Sequence, residues 1–198
     1  MVYVKIRGGA QEVGRSCYQL STGSADYLID CGIKQEDPVK YPDFKDLSSK
    51  QVDAVFVTHA HIDHIGSLPV LESKEYLKDE ASIYLTPPTA ALAKVLLWDS
   101  LKLHKLECEE YRRKQKYDEG HVNSVLKRFK TLGFGSHSIK DISVEFRSSG
   151  HLLGSAWLNL KVGNQNLIFS GDIGGRSTHL KGLEDPSRSN FLFLESTY

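Results

Sequence analysis

The sequence is poor in the residues that mark disulfide-bonded secreted proteins and membrane proteins. It holds three cysteines in 198 residues, Cys17, Cys31 and Cys108. An odd number at wide spacing, without a C-x-x-C pair, predicts neither a disulfide framework nor a thiolate zinc knuckle. No apolar run approaches the ~20 residues of a membrane span, and the N-terminus lacks the apolar core of a signal peptide. A cytoplasmic protein without membrane association is therefore expected.

Charge of one sign is also missing, because 25 Lys and Arg residues balance 25 Asp and Glu residues. This balance excludes a generally basic coat for nucleic acid, although it leaves room for a local positive groove. The hydrophobic content of 40% is that of an ordinary globular protein. The length predicts one domain, residues 1–198, large enough to bury a sizeable core.

One octapeptide stands out, running from His59 to Gly66 with the pattern H-x-H-x-D-H. Imidazole nitrogens and carboxylate oxygens are the ligands that zinc and similar divalent metals accept. The chance expectation for this pattern in a chain of this composition is on the order of 0.001, so the match is far stronger than most short motifs. The alternative, a histidine-rich turn with no ligand role, is much less favoured. The octapeptide predicts a metal site.

Local structure indicates how these side chains converge. The apolar run Ala54–Val57 is typical of a strand covered on both faces. If His59 and His61 continue extended, they point the same way and can share one metal. Asp63 and His64 fall where a helix to about residue 71 would start, so they leave in another direction. Two pairs with two directions suggest two metals.

Three further candidate residues lie at predicted strand ends. His151 follows a strand and is flanked by glycines, which allows close approach to a metal. Asp172 ends a later strand, a position from which it could bridge two metals. Asp30 also ends a strand, where it either orients a metal-binding imidazole or caps a turn, two interpretations that the sequence leaves equally open.

Periodicity outlines the remaining elements. Alternating and apolar runs predict strands at 2–6, 16–20, 27–29, 82–85, 142–146, 156–162, 167–169 and 191–194. Helical spacing after two prolines predicts a helix over Pro88–His104. The charged stretch from Lys102 to Lys130 is typical of a solvated helical face. His104, His121 and His137, which lie beyond the motifs, are expected at the surface.

Taken in order, these residues resemble the metallo-β-lactamase superfamily, and the resemblance spans nearly the whole chain. It implies an α/β fold, an αββα sandwich with the metals at one edge of the sheets. The segments Gly9–Ser16 and Glu195–Tyr198, with the glycine-rich setting of His151, resemble the β-CASP branch, which processes nucleic acids. Within it the chain is similar to the cleavage and polyadenylation specificity factor nucleases and their archaeal relatives. Ribonuclease J is less favoured, since it usually carries an acidic residue where this chain has Ile62.

The resemblance implies a role for each candidate residue. His59, His61 and His151 would hold one zinc ion, Asp63 and His64 would contribute to a second, and Asp172 would bridge them. Asp30 would orient the first cluster. Glu195 would support a histidine that acts as general acid, so the catalytic set would be Asp63, Asp172 and Glu195. The implied reaction is RNA phosphodiester cleavage of the 3′-end-processing type by a hydroxide that two zinc ions activate.

The chain departs from the β-CASP pattern after Glu195. The cassette of that branch and the return of the chain to the first domain are absent, and with them two expected histidines. The chain is therefore expected to be the N-terminal portion of the metallo-β-lactamase domain, with a partly occupied second zinc site and little or no activity alone. Expected partners are RNA and a completing polypeptide or a second copy. Two other classes stay open: another hydrolase or oxidoreductase on this scaffold, and a non-catalytic module that binds RNA or a partner.

Overall fold

A computed structural model describes residues 1–175, 180–186 and 188–196. Two β-sheets pack face to face, and helices cover the outer face of the first sheet. The first sheet contains β1 (Tyr3–Gly8), β2 (Cys17–Ser21), β3 (Asp26–Ile29), β4 (Val52–Phe56), β5 (Leu77–Leu85) and β6 (Phe129–Thr131). The second contains β7 (Gly135–Ile139), β8 (Ile142–Ser148), β9 (Ala156–Val162), β10 (Gln165–Phe169) and β11 (Phe191–Phe193). The helices are α1 (Ile62–Ile65), α2 (Leu68–Ser73), α3 (Pro87–Glu110) and α4 (Glu119–Lys127).

The first sheet has the order β1-β2-β3-β4-β5-β6. Its first three strands form an antiparallel meander, whereas β3, β4, β5 and β6 run parallel. Every residue of β4 is buried, because helices cover one face of this central strand and the second sheet covers the other. This explains the unbroken apolar run in the sequence.

The second sheet has the order β11-β10-β9-β8-β7. It is antiparallel except for the β10–β11 pair, which is parallel. Along β8, residues alternate strictly between buried and partly exposed, as expected for a strand with one face in the core. Phe56 of β4 and Phe146 of β8 belong to the cluster that fills the space between the sheets.

The predicted mixed α/β fold and its main strands are confirmed, with differences at several places. The predicted helix from Asp63 divides into α1 and α2, because Pro69 has no N–H to continue the helix and the Ser67 N–H bonds instead to Cys31 O. The helix predicted over Pro88–His104 is longer, and β6 and β7 went unpredicted. The expectation that His104 lies at the surface is wrong, since it is buried and stacks on Tyr117.

His121 and His137 have local roles. His121 belongs to the capping box at the start of α4, together with Asp118. His137 bonds to Gly133 O within the turn before β7. No helix among the described residues is long and apolar enough to cross a membrane.

Candidate metal centre

Four candidate ligands meet where strands of both sheets end. His59 and His61 follow β4, His151 lies in the loop between β8 and β9, and Asp172 follows β10. Each offers one ligand atom, and these four atoms all lie within 4.8 Å of one another. A cation at the centre of such a group could reach three nitrogens and one oxygen, which is a donor set that zinc accepts.

The shortest contact in this group joins residues 90 positions apart, with His151 Nε2 lying 3.2 Å from His61 Nδ1. Asp172 Oδ2 lies 3.5 Å from both His59 Nε2 and His151 Nε2. The structure therefore brings His151 and Asp172 next to His59 and His61 of the octapeptide, as expected from the sequence.

The other carboxylate oxygen of Asp172 faces a second group. Asp172 Oδ1 lies 3.2 Å from His64 Nε2, and Asp63 Oδ2 lies 3.8 Å from the same nitrogen. Asp63 and His64 are in α1, whereas His59 and His61 precede this helix, with His61 as its extended N-cap residue. Asp172 thus stands between the two groups, with one oxygen toward each.

Asp30 and Thr58 form a buried network beneath both groups. Asp30 Oδ1 accepts a hydrogen bond from Thr58 N (2.8 Å), and Oδ2 accepts one from Thr58 Oγ1 (2.7 Å). Oδ2 also lies 2.8 Å from His64 Nδ1. Asp30 therefore contacts His64 directly and reaches His59 only through Thr58, whose hydroxyl lies 3.1 Å from His59 Nδ1. Sequence analysis did not single out Thr58; its one signal is a polar residue at the end of a fully buried strand.

This network fixes the tautomers of two imidazoles. The Thr58 hydroxyl has one hydrogen, which goes to Asp30, so its oxygen must accept the proton of His59 Nδ1. His59 Nε2 then carries a lone pair, and it is buried without a hydrogen-bond partner among the described residues. A buried polar atom without a partner is costly. A metal ion would satisfy it, so the residues fit the cation that the fold family implies.

His64 also presents Nε2 to the site, but its Nδ1–H is held by Asp30 instead of by Thr58. Its Nδ1–H donates to Asp30, which turns Nε2 toward the acceptor oxygen of Asp172. Burial alone lowers the pKa of His64, but Asp30 and Asp172 outweigh it and raise this pKa to about 10. In the metal-free protein a proton therefore occupies Nε2, and a bound cation would displace it.

The remaining charges of the site follow from burial and proximity. Burial lowers the pKa of His59 well below its ordinary value, and His64 beside it adds to the effect. Burial also lowers the pKa of His61, helped by His151. Burial by itself raises the pKa of Asp172, but the bond from His64 and the surrounding imidazoles hold it well below its usual range. The neutral imidazoles of His59 and His61 and the ionised carboxylate of Asp172 are forms that bind metal, whereas His64 must first lose its proton.

Close backbone packing holds the motif in place. A Cβ at Gly32 would lie 1.5 Å from Asp63 O, so only glycine lets the segment after β3 approach α1. Gly171 has φ +53°, and a Cβ there would lie 2.7 Å from the Thr58 side chain. In the His151 loop, the Ser155 hydroxyl accepts hydrogen bonds from the N–H groups of His151 and Leu152. Sequence analysis did not identify Ser155 either.

A cleft of about 590 Å³ opens beside the second group. Asp63, His64 and Asp172 line it together with Glu195 and the loop from Gly9 to Gly14. Glu195 Oε1 accepts a hydrogen bond from Ile173 N at 2.7 Å, and its own N–H donates to Ser170 Oγ. No ion pair joins Glu195 to a histidine within the described residues. Thr197, Tyr198 and His179 lie outside the described residues.

Sequence comparison identifies the family. The metallo-beta-lactamase superfamily domain matches residues 19–189. The match covers most of the chain, so this protein belongs to the metallo-β-lactamase superfamily, as the order of its site residues predicted.

Several longer proteins are similar to this chain in sequence. A "Probable RNase MJ4" of Methanocaldococcus jannaschii is 36% identical and matches 97% of this chain and 44% of its own. The transcription termination factor FttA of Methanosarcina mazei is 36% identical (98% and 30%), and Integrator complex subunit 11 of Danio rerio is 29% identical (96% and 33%). These are β-CASP homologues, so the predicted branch is confirmed. The chain spans less than half the length of these relatives.

Two solved structures share the fold. A protein of unknown function from Enterococcus faecalis superposes with a TM-score of 0.59 at 17% identity, over 87% of this chain and 43% of the other. The metallo-beta-lactamase fold protein YhfI of Bacillus subtilis superposes with a TM-score of 0.53 at 17% identity, over 86% of this chain and 62% of the other.

A relative named "RNase J-like protein" is also 33% identical in sequence, so the preference for the polyadenylation-factor type over ribonuclease J stays a prediction.

Proposed function

We propose that this chain carries the metal centre of a ribonuclease that hydrolyses RNA phosphodiester bonds, as in RNA 3′-end processing. The observation that carries the proposal is the position of Asp172, with one carboxylate oxygen toward His59 and His151 and the other toward His64. This arrangement suits two cations that share one bridging carboxylate. Two relatives named as RNases or RNase-like, at 36% and 33% identity, support RNA as the substrate.

We assign His59, His61, His151 and Asp172 to one zinc ion, and Asp63, His64 and Asp172 to a second. Two such ions, when bound, would activate water at neutral pH and stabilise negative charge on a phosphate. The donor set fits zinc but does not by itself distinguish zinc from iron or manganese.

The protein groups have separate tasks in this proposal. Asp30 and Thr58 hold His64 and His59 in the tautomers that present Nε2 to the metals. Asp63, which is half-buried on the cleft wall, would orient the attacking water, while Asp172 would contribute one carboxylate oxygen to each group of ligands. Glu195 would support a histidine that acts as general acid across the cleft. None of the described histidines is paired with Glu195.

The test uses the purified protein and a 5′-labelled single-stranded RNA. Elemental analysis should find zinc, and RNA cleavage should require zinc. Cleavage should be lost in His61→Ala and Asp172→Asn. It should survive in His137→Ala, a matched control at a histidine of β7 that does not belong to the ligand cluster. Because this chain spans less than half the length of its relatives, the same variants are also compared in the full product of the gene. Turnover of small esters or thioesters but not RNA would overturn the proposal.

A further inference from the structure

The outer face of α3 carries an exposed aliphatic strip that no described part of the chain covers. Leu92, Val95, Leu103 and Leu106 are 40%, 66%, 47% and 52% exposed. Their positions recur at intervals of three, four and seven residues around Asp99, which places them on one face of the helix. Contiguous exposed aliphatic side chains of this kind mark interaction surfaces. This set of four residues with Asp99 is called the α3 strip below.

The strip borders a cavity of about 480 Å³. Leu96, Asp99 and Leu103 line it on the helix side, and Tyr41 and Ile62 are among the residues on the other side. Four carboxylates line this cavity, and none of the residues that line it is a lysine or an arginine. The lining acids are Glu36, Asp37, Asp99 and Glu107.

Two of these acids already have cationic partners. Glu36 pairs with Lys34 and Lys40, and Asp37 pairs with Arg113. Asp99 forms no ion pair within the described residues, although it lies at the centre of four exposed aliphatic side chains and the exposed Lys102 follows it by three residues. The binding of a partner to the strip would therefore depend on the charge of the side chain that the partner places opposite Asp99.

The arrangement around Asp99 argues against a second copy as the occupant. Leu92 and Leu106 lie seven residues to either side of Asp99, and Val95 and Leu103 lie four residues to either side. Two copies of α3 packed antiparallel would match Leu92 with Leu106 and Val95 with Leu103, but would press Asp99 against its own copy. Two like charges shielded from water oppose that pairing.

We propose that the α3 strip docks an amphipathic helix of another polypeptide that places an arginine or lysine opposite Asp99. Such a helix would bury its aliphatic side chains against the four exposed residues of the strip, and its cation would meet Asp99 at the mouth of the cavity. Nucleic acid does not fit, since the strip and the lining of the cavity offer aliphatic groups and carboxylates and include no lysine or arginine. The inference does not depend on the proposed nuclease activity.

The probe for this proposal is a fluorescein-labelled 21-residue helical peptide of alanine and glutamine. It carries leucines four and seven residues to either side of a central arginine, and a second peptide carries glutamate at the centre. Fluorescence anisotropy should show that the protein binds the arginine peptide roughly tenfold more tightly than the glutamate peptide. Asp99→Lys should reverse this order, and Leu103→Ser should weaken both peptides. Glu109→Lys, the same charge change outside the cavity on the same helix, should leave the order unchanged.

A second measurement tests why the protein does not pair with itself here. Asp99→Leu removes the charge from the centre of the strip, so this variant should dimerise in sedimentation equilibrium, and adding Leu103→Ser should disperse the dimer. Circular dichroism would check that each variant keeps its helix content. Equal binding of both peptides, binding of neither, or a monomeric Asp99→Leu variant would overturn the proposal. A wild-type dimer that Leu103→Ser disperses would show that a second copy is the occupant.

Discussion

Thr58 offers a sharp test of how the protein prepares the metal centre. Thr58→Val keeps the shape of the side chain but removes its hydroxyl, whereas Thr58→Ser keeps the hydroxyl and removes only a methyl group. In the wild type this hydroxyl donates to Asp30 and accepts from His59 Nδ1. All three residues are buried, so water cannot replace the lost bonds.

The cost of the valine variant follows from these contacts. A buried hydrogen bond to a charged group contributes about 1.5–3 kcal/mol, and a neutral one about 1 kcal/mol. Thr58→Val should therefore lower the free energy of unfolding of the metal-free protein by roughly 2–4 kcal/mol. Thr58→Ser should lose about 1 kcal/mol, which corresponds to one buried carbon. Because the imidazole of His59 loses its orienting partner, metal affinity should fall about 10–100-fold in the valine variant alone.

Two measurements separate these effects. Urea unfolding followed by tryptophan fluorescence gives the stability of the metal-free variants, and competition with a chromophoric chelator gives zinc affinity. In ¹⁵N spectra of the imidazoles, the His59 Nδ1 proton should persist in Thr58→Ser and be lost or exchange rapidly in Thr58→Val. Equal zinc affinity in the wild type and the valine variant would refute the idea that the Thr58 hydroxyl positions His59.

Three further predictions concern other charges of the protein. Asp172→Asn should lower the zinc content measured by elemental analysis, because one ligand is lost to each group; unchanged stoichiometry would contradict the bridging role. Glu195→Gln, in the full product of the gene, should slow RNA cleavage while zinc content stays the same, and metal loss would show instead that its bond to Ile173 N holds Asp172 in place. Burial raises the pKa of Asp53, but Lys140 and Lys78 outweigh it and lower this pKa below its ordinary value of 3.8. The stabilisation from Asp53 is therefore fully present above that value and is lost as the pH falls below it. In urea unfolding, Asp53→Asn should be less stable than the wild type at pH 7. The difference between their free energies of unfolding should narrow below about pH 4.

Residues whose signal is local were predictable from the sequence. The octapeptide places three imidazoles and a carboxylate within six positions, so no tertiary information is needed to see a metal site. Strands such as β9, Ala156–Val162, were found at their observed bounds because five of the seven residues there are apolar. The same reasoning missed β7, whose glycine and serines lie at an edge of the second sheet, where pairing with β8 rather than side-chain burial makes the strand.

Contacts between distant segments were harder to predict. His104 sits in a charged stretch of sequence, yet its Nε2 accepts a hydrogen bond from Lys116 N and its ring stacks on Tyr117, so packing rather than local composition buries it. Thr58 is similar, since its role in the site depends on hydrogen bonds to Asp30, 28 residues earlier in the chain. The division of α1 from α2 was readable in principle from Pro69, but the acceptor of the Ser67 N–H lies on the segment after β3.

The metal centre depends on how the two sheets are held together, which no sequence spacing specifies. His59 comes from the first sheet, whereas His151 and Asp172 come from the second, and sheets pack about 10 Å apart at a distance set by core side chains. Two contacts close that gap at the site: Ala156 N donates to Thr58 O at 2.9 Å, and Gly171 lies directly against the Thr58 side chain. Thr58 therefore joins the sheets with its backbone and orients His59 with its hydroxyl, so a single residue couples the packing of the sandwich to the geometry of the ligands.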